Sequence, residues 1–385
     1  MAAAGGGRSR LRLVDAAELP GALAAALAGG TPVAPLPPAP LERTQALAML
    51  APDEPVEPGT AVVVSTSGST GRPKGVLLSA AAVRAAARAT DDRLGGPGDW
   101  VLCLPSHYVA GLMVLARTAL VGTRAHPAAS DLADLPEVAG GMQGRRYLSV
   151  VPTQLARALA RPDVTAALRT FDAVLVGGGA LPEPVAVAAR EAGVAVVTTY
   201  GMSETCGGCV YDGRPLDGVA VDLDARGRVA LGGPVLFSGY RRRPDLTAAA
   251  LVDGRLVTAD RARWEGDRLR VLGRVDDVVV SGGMNVDLAE VERQVRGWPG
   301  LAGADVAVVG VPDAEWGTAV VAVVERADWP EGAERGLREH LHARLPGYAA
   351  PRRLVGRTPL PRTSSGKIDR LRIVAELGEE RGAGT

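Results

Sequence analysis

The chain has 385 residues, 47% of them hydrophobic and 22% charged, and its 43 acidic residues balance its 43 basic ones. Such a composition suits a globular protein of two or three domains. The zero net charge leaves no general field for nucleic acid or anionic membrane. Three cysteines are too few and too unevenly spaced for a disulfide scaffold, and no run of about 18 apolar residues is present. No membrane span is expected, and the expected compartment is the cytoplasm.

In chain order, residues 1–12 are Ala, Gly and Arg without apolar periodicity and are expected to be disordered. "LPGALAAALAGG" (19–30) follows Asp15 and Glu18, so it reads as an Ala-rich helix rather than a signal-peptide core. The Pro-rich segment 31–42 reads as an extended connector. From about residue 60, short β-branched runs alternate with Ala-rich stretches. Strands are expected at 61–65, 100–104, 147–151, 173–177 and 194–200, with helices at 80–90, 153–160 and 183–192. Apolar strands alternating with helices point to a parallel-rich α/β layer structure.

After residue 215 the texture becomes turns and short strands, which suggests a small antiparallel sheet. Residues 266–295 then give strands, a Gly-Gly turn and a helix, with Asp287 as N-cap and Glu290 as a capping-box partner. Strands at 305–311 and 319–325, a helix near 331–345 and a terminal helix follow. The expected fold is α/β. A large layered N-terminal domain (1–272) carries the antiparallel subdomain, residues 273–276 form a hinge, and 277–385 form a small mobile α+β domain.

The stretch "STSGSTGRPKG" (65–75) holds three glycines, five hydroxyls and Lys74. Glycines let a backbone approach phosphate oxygens, and the hydroxyls of Thr66, Ser67, Ser69 and Thr70 can donate to them. A solvated Gly/Ser turn has the same composition. The nucleoside-triphosphatase loop G-x-x-x-x-G-K-[S/T] does not fit, because Gly68 and Gly71 lie three apart and Gly75 follows Lys74. "GVLLS" after Lys74 reads as a strand, so the loop joins two strands as a hairpin. The dinucleotide fingerprint fails at "GGGALP", where Pro182 takes the place of its last glycine. Lysine is scarce: 41 basic residues are arginine, and only Lys74 and Lys367 are lysine, both in Gly/Ser/Thr-rich loops. An ammonium is a compact point charge, unlike the planar guanidinium.

"TSGSTGRPKG" resembles the phosphate loop of the acyl-adenylate-forming enzymes, and four more stretches resemble that family's motifs in order. They are "TTYGMSET" (198–205), "VTADR" (257–261), "GRVDDVVVSGGMNVDLAEVE" (273–292) and "PRTSSGKIDR" (361–370). The resemblance covers about residues 60–375. It implies that Thr66–Gly71 (Thr66, Ser67, Gly68, Ser69, Thr70, Gly71) and Lys74 bind phosphate. Gly177, Gly178 and Gly179 would wall the adenine, with Tyr200 packed on it beside Gly201. Ser203 would reach the α-phosphate and Glu204 would bind Mg²⁺. Asp260 and Arg274 would hold the ribose, and Asp276 would be the hinge. Ala259 stands where the family has Gly.

Lys367 would enter the cleft for the first half-reaction, and His107 would line the acyl pocket. Ser281–Gly283 would help form a pantetheine channel. Cys206 and Cys209 read as bystanders, since a zinc site wants four ligands.

The implied chemistry is ATP- and Mg²⁺-dependent activation of a carboxylic acid to an acyl-AMP, then transfer to the thiol of coenzyme A. "PSHYVAGLMVLART" and "YGMSETCGGCVYDG" resemble the short o-succinylbenzoate–CoA ligases of menaquinone biosynthesis. The alternatives are another aryl- or acyl-CoA ligase, an adenylation enzyme that loads a carrier protein, and a nucleotide-binding module without turnover. Expected partners are a small carboxylic acid and CoA, with no nucleic acid and no membrane insertion. A homodimer is the assembly that relatives suggest.

Overall fold

The β-branched run after Gly59 folds as a hairpin, Thr60–Ser67 against Pro73–Ser79. The computed structural model in which it is seen describes residues 10–67, 73–301, 304–326, 332–363 and 367–382. Strands Arg12–Val14 and Val33–Pro35 extend the hairpin's sheet in parallel on one side, and the two-residue strand Gly239–Tyr240 pairs antiparallel on the other. Two expectations are corrected here. Disorder does not reach residue 12: Leu11 is buried and Arg12 pairs with Val33, while residues 1–9 lie outside the described residues. Residues 31–42 are not a plain connector, because Val33–Pro35 is a strand and a helix begins at Pro40. Proline suits a first helical turn, where its missing N–H has no intrahelical partner to lose.

A second sheet carries the α/β layers. Asp99–Leu102, Ala125–Pro127, Arg146–Val150, Ala173–Val176 and Val196–Met202 run parallel, and Gly207–Tyr211 and Arg214–Pro215 continue one edge antiparallel. Side chains alternate between two cores along these strands. Val101, Leu148, Val174 and Val176 face one, while Trp100, Tyr147, Ala173 and Leu175 face the other. Burial on both faces explains why the strands read as continuous apolar runs. The expected helices are Ala80–Leu94, Pro152–Leu159 and Glu183–Glu191, and the Ser79 hydroxyl caps the first by accepting from the N–H of Ala82. A third, antiparallel sheet contains Ala220–Leu223, Arg228–Gly232, Arg255–Glu265 and Arg268–Arg274.

Residues from Val278 onward build their own sheets and cores, called here the C-terminal lobe. Hairpin strands Val278–Ser281 and Met284–Asp287 meet at a two-residue turn, with both glycines, Gly282 and Gly283, in the left-handed region. That is the type I′ geometry whose twist suits a hairpin. Strands Val306–Asp313, Gly317–Glu325 and Arg353–Arg357 form the second sheet. Val306, Val308, Val320 and Ala322 pack on helices Leu288–Arg296 and Ala333–His342; Ala307, Val309, Val321 and Val323 pack on the terminal helix Arg370–Gly382. The Asp287 carboxylate caps its helix through the N–H groups of Ala289 and Glu290. The expected reciprocal bond from Glu290 is absent: its carboxylate pairs with Arg293 and Gln294, one helical turn on.

One buried cation ties the first sheet together. Arg241 is 2% exposed and donates to the carbonyls of Leu50, Ala51, Glu54 and Pro55 and to the carboxylate of Glu57. Its own N–H bonds to the Gly75 carbonyl, so it joins the end of helix Pro40–Leu50 to the hairpin that carries Lys74. Arg241→Met should cost about 3 kcal/mol, because Glu57 and several carbonyls lose their donor. A lower urea midpoint is the expected reading. Arg241→Lys should recover only part of the loss, since one ammonium cannot serve five acceptors on so wide an arc.

Candidate active site

Ligands of parallel α/β sheets bind beyond the carboxyl ends of the strands. Here those ends deliver the expected residues together. Ala173–Val176 leads into Gly177–Gly179, and Val196–Met202 carries Tyr200 and Gly201 and leads into Ser203 and Glu204. At Gly201 the neighbouring strand comes so close that a β-carbon would collide with the Gly207 carbonyl.

Tyr200, Asp260, Arg274 and Asp276 form a continuous polar chain. The Tyr200 hydroxyl donates to Asp260 Oδ2 at 2.7 Å, and Arg274 Nη1 reaches Asp260 Oδ1 at 3.4 Å. Asp260 and Arg274 are cross-strand partners, so sheet register sets this pair. Arg274 also grips Asp276 with Nε and Nη2, at 2.8 and 2.7 Å. Asp276 lies in the 3-10 turn Val275–Asp277, directly before the C-terminal lobe. Burial first, then the Asp260 charge, push the Tyr200 phenol above its ordinary range, so it stays a donor. The carboxylate expected at a ribose is thus held from both sides, and its arginine is tied to the expected hinge.

Glu204 sits in the short turn Ser203–Thr205, which is stapled by the Thr205 hydroxyl: it donates to the Gly207 carbonyl at 2.7 Å and accepts from the Met202 N–H at 2.9 Å. Glu204 Oε1 accepts from the Tyr240 hydroxyl at 2.7 Å. No protein donor is bonded to Oε2 among the described residues. The Lys74 ammonium lies 5.3 Å from the centroid of the Tyr240 ring, and Thr66 Oγ1 donates to the Lys74 carbonyl at 3.4 Å. No group of three or more His, Cys, Asp or Glu that could hold a metal occurs among the described residues. A single free carboxylate oxygen fits Mg²⁺, which keeps several waters and takes its other oxygens from phosphate. It does not fit a protein-caged metal.

Lys367 enters this cleft from the C-terminal lobe. Its loop is pinned where the Thr363 N–H and hydroxyl both donate to the Lys367 carbonyl. A β-carbon on Gly178 (φ +77°) would stand 3.9 Å from Lys367 Cε. The side chain keeps substantial solvent contact, yet protein atoms crowd it at longer range. That desolvation, with Arg274 nearby, pulls its ammonium below the usual lysine range, and Glu204 pulls the other way. The two lysines therefore approach one region from different lobes, Lys74 through Tyr240 to Glu204 and Lys367 within the field of the same carboxylate.

Other expected residues are less engaged. The His107 ring packs on Tyr108 at 4.1 Å, and its Nε2 is buried with no hydrogen-bond partner among the described residues. Burial keeps this imidazole below its ordinary range, so it is neutral at pH 7. It makes no hydrogen bond to the groups above. Among the described residues the Ser203 hydroxyl has no protein partner. The side chain of Ser67, and all of Gly68, Ser69, Thr70 and Gly71, lie outside the described residues. Cys206 and Cys209 are buried, and burial pushes both thiols up to about 12, as for inert core residues. A concavity of about 200 Å³ lined by Arg338, Leu341, His342 and Arg352 lies within the C-terminal lobe. It holds none of the groups above. Tyr240 was not anticipated from the sequence at all, although it contacts two expected site residues.

The profile of the family described as AMP-binding enzyme matches residues 14–240, and that of the AMP-binding enzyme C-terminal domain matches residues 290–367. A probable 2-succinylbenzoate–CoA ligase of Mycobacterium tuberculosis is 44% identical over 352 residues, covering 89% of this chain and 91% of its own. A 2-succinylbenzoate–CoA ligase of Bacillus cereus is 32% identical over 342 residues, covering 83% and 70%. The solved o-succinylbenzoate coenzyme A synthetase of Bacillus subtilis, in complex with AMP, superposes with a TM-score of 0.75 at 22% identity, covering 95% of each chain. No helix among the described residues is long and apolar enough to cross a membrane.

Proposed function

We propose, given that this chain belongs to the AMP-binding enzyme family, that it joins o-succinylbenzoate to coenzyme A through an acyl-AMP. The observation that carries this reading is Lys367, brought by the C-terminal lobe to Gly178 and into the fields of Glu204 and Arg274. The substrate is taken from the names of the relatives above, which the chain covers over most of their length.

In the first step a carboxylate oxygen attacks the α-phosphorus of ATP, and the bond to pyrophosphate breaks. Charge spreads over the phosphate oxygens as it does so. Lys367 and Lys74 offset that charge from two sides, by positioning and electrostatics rather than covalent chemistry. The free oxygen of Glu204 would hold Mg²⁺, which would supply further positive charge to the phosphates. Tyr200 and Asp260 fix the nucleoside: an aromatic face packs on adenine, and a carboxylate accepts from the ribose hydroxyls. Gly177–Gly179 leave room for the base.

In the second step the CoA thiolate attacks the acyl carbon, and AMP leaves with the carboxylate oxygen. For this step the C-terminal lobe, with Asp277, turns about Asp276, taking Lys367 out and bringing the Ser281–Gly283 turn in. His107 lines the acyl pocket as a neutral imidazole. The proposal extends to the cytoplasm, where ATP and CoA are supplied. A homodimer is the proposed assembly, although the cleft is built within one chain.

Pyrophosphate release is to be measured with o-succinylbenzoate, ATP and Mg²⁺, with and without CoA. The expected result is release that depends on the acid, with stoichiometric CoA thioester when CoA is present. Release that leaves CoA unconsumed would point instead to carrier-protein loading. No release with any aromatic acid would reduce the chain to a nucleotide-binding module.

A further inference from the structure

Tyr240 has no part in the chemistry above, yet it lies between two groups that do. We propose that Tyr240 is the positioning residue that couples the Mg²⁺-binding carboxylate of Glu204 to the phosphate-binding ammonium of Lys74. The inference rests on the reading of this cleft as an ATP site. Three observations carry it.

The Tyr240 hydroxyl donates to Glu204 Oε1 at 2.7 Å, so one carboxylate oxygen is fixed and the other is left for the metal. Outer partners of this kind orient a metal ligand and tune its affinity. Second, the Lys74 ammonium lies 5.3 Å from the ring centroid, within reach of the ring's negative face. Third, Tyr240 is itself held rigidly. It is 8% exposed, meets Phe237 edge-on at 4.9 Å, and its N–H donates to Thr247 Oγ1 at 2.8 Å.

The backbone supports the same coupling. Tyr240 pairs with Val76 on the strand that carries Lys74, and the Phe237 N–H donates to the Glu204 carbonyl at 2.8 Å. One short segment, 237–240, thus aligns a phosphate-binding strand from the first sheet with a metal-binding turn from the second.

The test uses the full chain and a non-hydrolysable ATP analogue. Binding is followed by calorimetry and thermal shift, in graded Mg²⁺ and in EDTA. Tyr240→Phe keeps the ring over which Lys74 sits and removes only the donor to Glu204. Its Mg²⁺ midpoint should rise about ten-fold or more, while metal-free analogue affinity stays within about two-fold of wild type. Tyr240→Leu removes the ring as well and should lose a further two- to five-fold, roughly, of metal-free affinity. A Tyr240→Phe protein with the wild-type Mg²⁺ midpoint overturns the proposal. Equal weakening with and without metal also overturns it, since that is the mark of a purely structural residue. A wild-type chain that fails to bind the analogue sinks the ATP reading itself, and this inference with it.

Discussion

Lys367→Ala is expected to slow acyl-AMP formation by about 10²- to 10³-fold, the usual loss when a preorganised charge at a developing anion is removed. Thiolysis of preformed acyl-AMP should be largely unaffected. The asymmetry follows from position. Lys367 is carried by the C-terminal lobe, and its ammonium reaches the Gly178–Glu204–Arg274 region only while that lobe is seated as observed. In the proposed second step the lobe has turned and the lysine has left. Rapid-quench measurement of each half-reaction checks this, and equal loss in both would contradict the role given to Lys367. Lys367→Arg should rescue poorly, because a planar fork does not replace a compact ammonium beside a glycine wall.

Asp276→Pro is expected to do the reverse, slowing thioester formation by about 10²-fold while leaving adenylation far less affected. Proline fixes φ at its own position and restricts the residue before it. Residue 276 lies in the turn Val275–Asp277, between the strand that carries Arg274 and the C-terminal lobe. A rotation that must be absorbed at a few dihedrals is blocked most cheaply there. Asp276→Ala is the control. It removes the carboxylate that Arg274 grips but leaves the backbone free, so both steps should survive. A proline variant with an unaltered second step would count against lobe rotation.

Much of the fold was legible because burial writes itself into the sequence. The runs at 61–65, 147–151 and 173–177 are apolar because both faces of their strands are covered. "VAVVGV" reads the same way, and its alternate residues enter two separate cores. Short elements escaped notice. Val33–Pro35 and Gly239–Tyr240 are too brief to show a period, and only their neighbours in the sheet make them strands.

Motif residues such as Tyr200, Glu204, Asp260 and Lys367 stood out because each sits in a distinctive local stretch. Tyr240 did not, since its meaning depends on Glu204, 36 residues earlier in the chain. Arg241 was equally hidden. It opens the run "RRR" (241–243), in which it is buried while Arg242 and Arg243 pair with acids at the surface. Nothing in composition separates one arginine from 41. The Glu290 capping partner misled for the opposite reason: the spacing was right, but neighbouring Arg293 and Gln294 offered that carboxylate closer donors.

The most direct measurement follows oxygen. o-Succinylbenzoate labelled with ¹⁸O in its carboxylates is turned over with ATP, Mg²⁺ and CoA, and the products are weighed by mass spectrometry. Attack on the α-phosphorus predicts one labelled oxygen in each AMP and none in pyrophosphate. Label in inorganic phosphate or pyrophosphate, or unlabelled AMP beside a newly made thioester, would contradict it.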